Sequence, residues 1–155
     1  AMYPAPVTTM PGRIADKFVF MTGLSFDILK EFPNISGMPN DFKIPIDMCL
    51  IDTDHNYWTL RNEIEQLEPK LSDKAVVIFH DTEICKDKST SYWNMKSMAY
   101  GDSYPPSIQE SIKSELHIPM VKAIYEWIER SGGKAKIIRE SHDDCGAMAV
   151  LWEGK

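Results

Sequence analysis

The sequence predicts an α/β fold built on a mostly parallel sheet that ends in an antiparallel edge. Three observations carry this. Two apolar runs, Ile46–Ile51 and Ala75–Phe79, flank one amphipathic stretch of the length a crossover helix needs. Both runs are apolar at nearly every position, as in strands buried on two faces of a parallel sheet. Two further runs, Ala135–Glu140 and Ala147–Trp152, are joined only by SHDDCG and read as an antiparallel hairpin.

In chain order, residues 1–15 hold three prolines and no periodicity, and read as an irregular arm. Ala1 before Met2 reads as a residue left by a cleaved tag. Residues 16–155 read as one domain. Lys17–Thr22 (KFVFMT) is a short β-rich run closed by Gly23. Ser25 suits the N-cap of a short helix over Phe26–Phe32, with Asp27 in its first turn. Residues 33–44 have loop chemistry. The helix from about Tyr57 to Leu67 places Leu60, Ile64, Leu67 and Leu71 on one stripe, with Arg61, Glu63, Glu65 and Glu68 opposite. Pro69 and the turn Ser72-Asp73-Lys74 end it. Residues 82–106 form a long polar and aromatic segment, which fits a lid beside a site or a stretch without fixed structure. One helix begins near Ser107. A stronger one runs from about Ile118 to Arg130, with Val121, Ile124, Tyr125 and Ile128 on one face, until Gly132-Gly133 stops it.

A chain of 155 residues is long enough for a core without disulfide staples. Its net charge of −6, with no Lys/Arg cluster, argues against a nucleic-acid partner. No apolar run approaches the roughly 20 residues of a membrane span, and the N-terminus lacks the charged and apolar regions of a signal peptide. Cys49, Cys85 and Cys145 are an odd number without a CxxC pair, which fits a reducing cytoplasm.

The two parallel strands would bring their C-terminal ends to one sheet edge, where ligands of open α/β sheets bind. That edge collects Asp52, Asp54 and His55 from the first strand end and His80 and Asp81 from the second. The oxygen donors suit Mg²⁺, Ca²⁺ or Mn²⁺, and the added imidazole widens the choice to Mn²⁺, Fe²⁺, Co²⁺ or Zn²⁺. A cation there would hold two oxygens of a substrate and acidify a hydroxyl, and His55 is the natural proton acceptor. Plainer roles exist for the same residues. Asp52 also fits a helix cap or a strand-end turn, and His80 a buried, satisfied histidine. His142, Asp143, Asp144 and Cys145 resemble a metal tract, but Asp is frequent in hairpin turns. His117 falls at a helix start. Tyr92, Trp93 and Tyr100 suit either a pocket wall or packing.

The runs FVFMTGLSFDIL (Phe18–Leu29), IDMCLIDTDHNY (Ile46–Tyr57), LEPKL (Leu67–Leu71) and VVIFHDT (Val76–Thr82) together resemble the second half of class I S-adenosylmethionine-dependent methyltransferases. The likeness is nearest to the small-molecule and sugar O-methyltransferase group that includes cephalosporin-hydroxylase-like proteins, and it extends through the C-terminal helix and hairpin. It implies a truncated Rossmann-like sheet. It also implies Asp52, His80 and Asp81 as metal ligands, His55 as general base, and Gly23, Leu24 and Ser25 near the adenine of S-adenosylmethionine. Ser72-Asp73-Lys74 stands where the family has a glycine pair. The Gly-rich loop and the acidic ribose-binding strand end of the family's first half are absent from this sequence.

The resemblance therefore implies metal-assisted O-methylation of a hydroxylated small molecule or sugar. The chain would be completed by a second copy or by a partner chain. A non-catalytic binding module is the alternative. A metal-dependent hydrolase is a third, since Asp52-Thr53-Asp54 resembles a phosphatase DxD. That motif continues with an apolar residue and then Thr or Val, which His55-Asn56 does not match.

Overall fold

The computed structural model describes residues 4–5, 20–21, 24–34, 45–84, 86–89 and 104–154. The chain separates into two compact units, residues 1–44 and 45–155. In the first, two residues of the expected irregular arm, β1 (Pro4–Ala5), pair antiparallel with β2 (Phe20–Met21). Helix α1 (Ser25–Glu31) buries Phe26. Its N-cap is Leu24, with no side-chain cap bond, so Ser25 is the first helical residue and not the cap.

The second unit is built on a four-stranded sheet with order β3-β4-β6-β5. Strand β3 (Ile46–Ile51) runs parallel to β4 (Leu71–His80), and the expected crossover helix, α2 (Tyr57–Leu67), connects them through a 3₁₀ turn at Glu68–Lys70. After β4 come α3 (Pro106–Glu115) and α4 (Lys122–Arg130), then β5 (Ala135–Ser141) and β6 (Ala147–Glu153). The hairpin β5–β6 is antiparallel, and β6 also pairs antiparallel with β4, from Lys74↔Glu153 to His80↔Ala147. The parallel pair and the terminal hairpin are thus both present, in a mixed α/β architecture compatible with a truncated Rossmann-like methyltransferase sheet.

The core lies on one sheet face. Val77, Phe79, Met148, Val150 and Trp152 alternate inward there, as a period of two requires. Trp127 of α4 lies edge-on to Phe79 at 6.1 Å between ring centroids and stacks on Trp152 at 5.8 Å. Truncating such a buried tryptophan costs about 3–5 kcal/mol. Helix α2 contributes Leu60, Ile64 and Leu67, which are almost wholly buried.

Four details depart from the sequence reading. Met48 and Leu50 are 71% and 63% exposed, so β3 is not covered on both faces. Glu63 is buried and not on a solvated helix face. Ser72-Asp73-Lys74 and Leu71 belong to β4, because β6 offers a partner as far as Lys74. In α4 the buried stripe is Ala123, Ile124 and Trp127, and Tyr125 points outward. No helix among the described residues is long and apolar enough to cross a membrane.

Candidate metal centre

The strand ends of β3 and β4 build the site. After Ile51 the chain leaves the sheet, and Asn56 caps the start of α2. Asn56 has extended backbone angles, and its Oδ1 accepts from the Thr59 backbone N–H at 2.8 Å, satisfying one of the orphan donors of the first helical turn. The cap is therefore Asn56, which leaves the Asp52 carboxylate, 53% exposed, for the site. The Asn56 amide also donates to Asp54 Oδ2 at 2.8 Å. Asp54 is buried beside Tyr104, whose hydroxyl is pushed well above its ordinary range by burial and by the charge of Asp54. Asp54 thus stiffens the loop and is not among the grouped ligands. The Thr53 hydroxyl donates to Glu63 Oε2 at 2.9 Å, which explains how α2 tolerates a buried carboxylate.

Beyond β4 the chain turns at Asp81, whose φ of +58° lies in the left-handed region. Asp tolerates that region better than most residues, and strain of this kind clusters at functional sites. The turn aims the Asp81 carboxylate back over the sheet edge. Its Oδ2 lies 2.8 Å from His55 Nε2, and its Oδ1 lies 3.0 Å from His80 Nδ1. Asp52 Oδ1 completes the group, 3.6 Å from His80 Nδ1 and 4.0 Å from His55 Nε2. One donor atom from each of Asp52, His80 and Asp81 lies within 4.8 Å of the other two.

The fit to a cation can be judged from His80. Its Nδ1 is out of solvent contact and has two carboxylate oxygens nearby, yet it makes no hydrogen bond. The distance to Asp81 suits one and the alignment does not. An imidazole nitrogen left that way beside two acidic oxygens has the arrangement a divalent ion would use, with one nitrogen and two oxygens as ligands. His55, held by the far oxygen of Asp81, stands where a neighbour orients a ligand carboxylate. The cavity enclosed by Ile51, His55, Leu60, Phe79, His80 and Met120 is only about 10 Å³, space for about one water.

The other expected residues separate clearly. His142 bonds Glu83, and Asp143 Oδ1 accepts from the Gly146 backbone N–H, so the SHDDCG tract is occupied with its own turn and with Glu83. His117 is exposed in the turn after α3. Leu24 and Ser25 open α1. Gly23, Cys85, Tyr92, Trp93 and Tyr100 lie outside the described residues. Glu63, Glu83 and Tyr104 were not singled out by the sequence. Only Glu63 left a signal there, since it falls between Leu60 and Ile64 on the buried stripe.

Residues 7–82 match the family model of a methyltransferase domain. The matched span takes in β3, α2, β4 and all four residues grouped at the sheet edge, and it supports a methyltransferase family for the chain. No curated protein and no solved structure matches the chain.

Proposed function

We propose that the chain carries the metal-binding, acceptor side of a cytoplasmic S-adenosylmethionine-dependent O-methyltransferase acting on a hydroxylated small molecule or sugar. The observation that supports this best is the convergence of Asp52, His80 and Asp81 at one sheet edge, with His55 held against Asp81. Asp52, His80 and Asp81 would hold Mg²⁺ or Mn²⁺, whose positive charge would favour ionisation of a substrate hydroxyl. His55, oriented by Asp81, accepts the hydroxyl proton.

S-adenosylmethionine, when bound, supplies the methyl group. The residues that resemblance places at its adenine are Gly23, Leu24 and Ser25. Among the described residues no strand borders the free edge of β3, and the sequence has no Gly-rich loop. The described residues thus do not fit the donor by themselves, and a second copy or a partner chain is proposed to complete its site. The exposed Met48 and Leu50 on β3 favour such assembly, and they equally favour a binding module without catalysis.

Calorimetric titration separates these readings. Mn²⁺ should bind the wild-type chain, and Asp52→Asn or Asp81→Asn should weaken it roughly 10- to 100-fold. S-adenosylmethionine should then bind in the presence of metal. Metal binding that both variants retain would remove the site from consideration. Metal without the methyl donor would leave the module reading.

A further inference from the structure

A second cavity lies beside the metal centre. It measures about 160 Å³, roughly tenfold what a single water needs. Thr82, which follows Asp81 in the chain, and Ala147, which faces His80 across the ladder, both line it. The cavity and the cation ligands therefore share one sheet edge.

Its walls have three parts. The floor is apolar, from Val121 and Met148. One side is the Tyr125 ring, half exposed, with the Glu140 carboxylate near it. The rim is an ionic chain: Glu83 Oε1 lies 2.7 Å from His142 Nδ1, Glu83 Oε2 takes Lys86 Nζ at 2.7 Å, and His142 Nε2 reaches Glu140 Oε2 only at 3.5 Å. The rim is fixed by the hairpin turn. The Glu83 backbone N–H donates to the Cys145 carbonyl at 3.0 Å. Gly146, with φ +73°, packs so close that a Cβ there would lie 2.6 Å from the Glu83 nitrogen.

This lining excludes several ligands. An anion would have to displace Glu83 from Lys86 and His142. An organic cation would meet carboxylates already engaged by Lys86 and His142. The three acidic and imidazole groups of the rim also do not gather their donor atoms as Asp52, His80 and Asp81 do. What remains is a neutral ligand that offers donors and acceptors together. Carboxylates with unused lone pairs, a phenol and an ammonium supply both partners for hydroxyls, and the Tyr125 ring with Met148 supplies an apolar face.

We propose that this cleft is a binding site for a neutral, polyhydroxylated ring, held by Glu140, Tyr125 and the Glu83–Lys86–His142 rim. Its role as acceptor subsite rests on the O-methyltransferase reading, and its ligand class does not. The test is titration of isotopically labelled full-length chain, without metal or methyl donor, with D-glucose, D-galactose, L-rhamnose and myo-inositol, monitored by NMR. At least one should shift signals of Tyr125, Glu140 and Ala147. Tyr125→Ala and Glu140→Gln, both at exposed positions, should each weaken that binding about 2- to 10-fold, and Asp52→Asn should leave it unchanged. The site is refuted by silence from all four up to about 100 mM, the weakest range that carries meaning. It is refuted equally by shifts that both variants keep, or by a response to inorganic phosphate or ethanolamine alone. Metal titration reads the catalytic proposal separately, so either can fail alone.

Discussion

Two histidine–carboxylate pairs sit at one edge of the sheet with nearly equal spacing. His55 and Asp81 are 2.8 Å apart with side chains 10% and 11% exposed; His142 and Glu83 are 2.7 Å apart with His142 68% exposed. The first pair is out of water, so each charge there depends on its neighbours, and a lost partner leaves a polar group stranded. In the second pair Glu83 is 22% exposed and His142 mostly in solvent, so water screens the contact and takes up much of what a lost partner leaves. Distance alone would rank the two alike. Burial makes the first a site in which charge can be put to chemical use and the second a clasp on a surface turn.

The largest expected effect breaks the inner pair. Asp81→Ala removes the carboxylate held 2.8 Å from the largely buried His55 and puts an ordinary side chain at positive φ. Urea unfolding should show a loss of about 2–4 kcal/mol, with unchanged m-value. A loss below about 1 kcal/mol would mean that the buried cluster is more hydrated than its exposure indicates.

An intermediate effect comes from the clasp's backbone. Gly146→Ala meets a left-handed φ and the Glu83 backbone at once. Destabilisation of about 1–2 kcal/mol is expected in thermal melts, with signal changes at Glu83. A neutral variant would show that the turn moves away from Glu83 at little cost.

The smallest effect concerns the outer side chains. Glu83 holds His142 protonated above its ordinary 6.5, and Lys86 together with His142 holds the Glu83 carboxyl below its ordinary 4.5. A raised histidine stabilises below 6.5 and loses that contribution as pH rises through its folded value. A lowered carboxylate stabilises above 4.5 and loses it as pH falls through its own. The Tm gap between wild type and His142→Gln should therefore be widest between pH 4.5 and 6.5 and stay within about 2 °C. A larger gap, or one that widens above about pH 8, would contradict the solvent-screened character of this pair.

Much of this was legible in the sequence, and the failures have a common cause. Strand β3 and helix α2 fall where the apolar runs and helical period placed them, because local pattern and tertiary burial agree there. Asp52, His55, His80 and Asp81 meet because a parallel crossover brings both strand ends to one edge. What local pattern could not supply was the partner. Glu63 is buried because Thr53 reaches it from the preceding loop. Residues 72–74 are strand because β6 lies beside them. Met48 and Leu50 are apolar enough for a core, yet no residue's own chemistry states what will cover it. Glu83 gains its His142 partner from a hairpin about 60 residues further on.

The left-handed backbone at Asp81 also restricts which ligand chemistries can be reached there by mutation. Replacement by Asn keeps a compact oxygen donor in a conformation that Asn adopts readily. Replacement by Cys or Glu, the usual routes to a softer or a longer-reaching ligand, carries about 1–2 kcal/mol of backbone strain before any metal is bound. A single dihedral angle thereby narrows the side chains that position 81 accepts without strain to Asp, Asn and Gly.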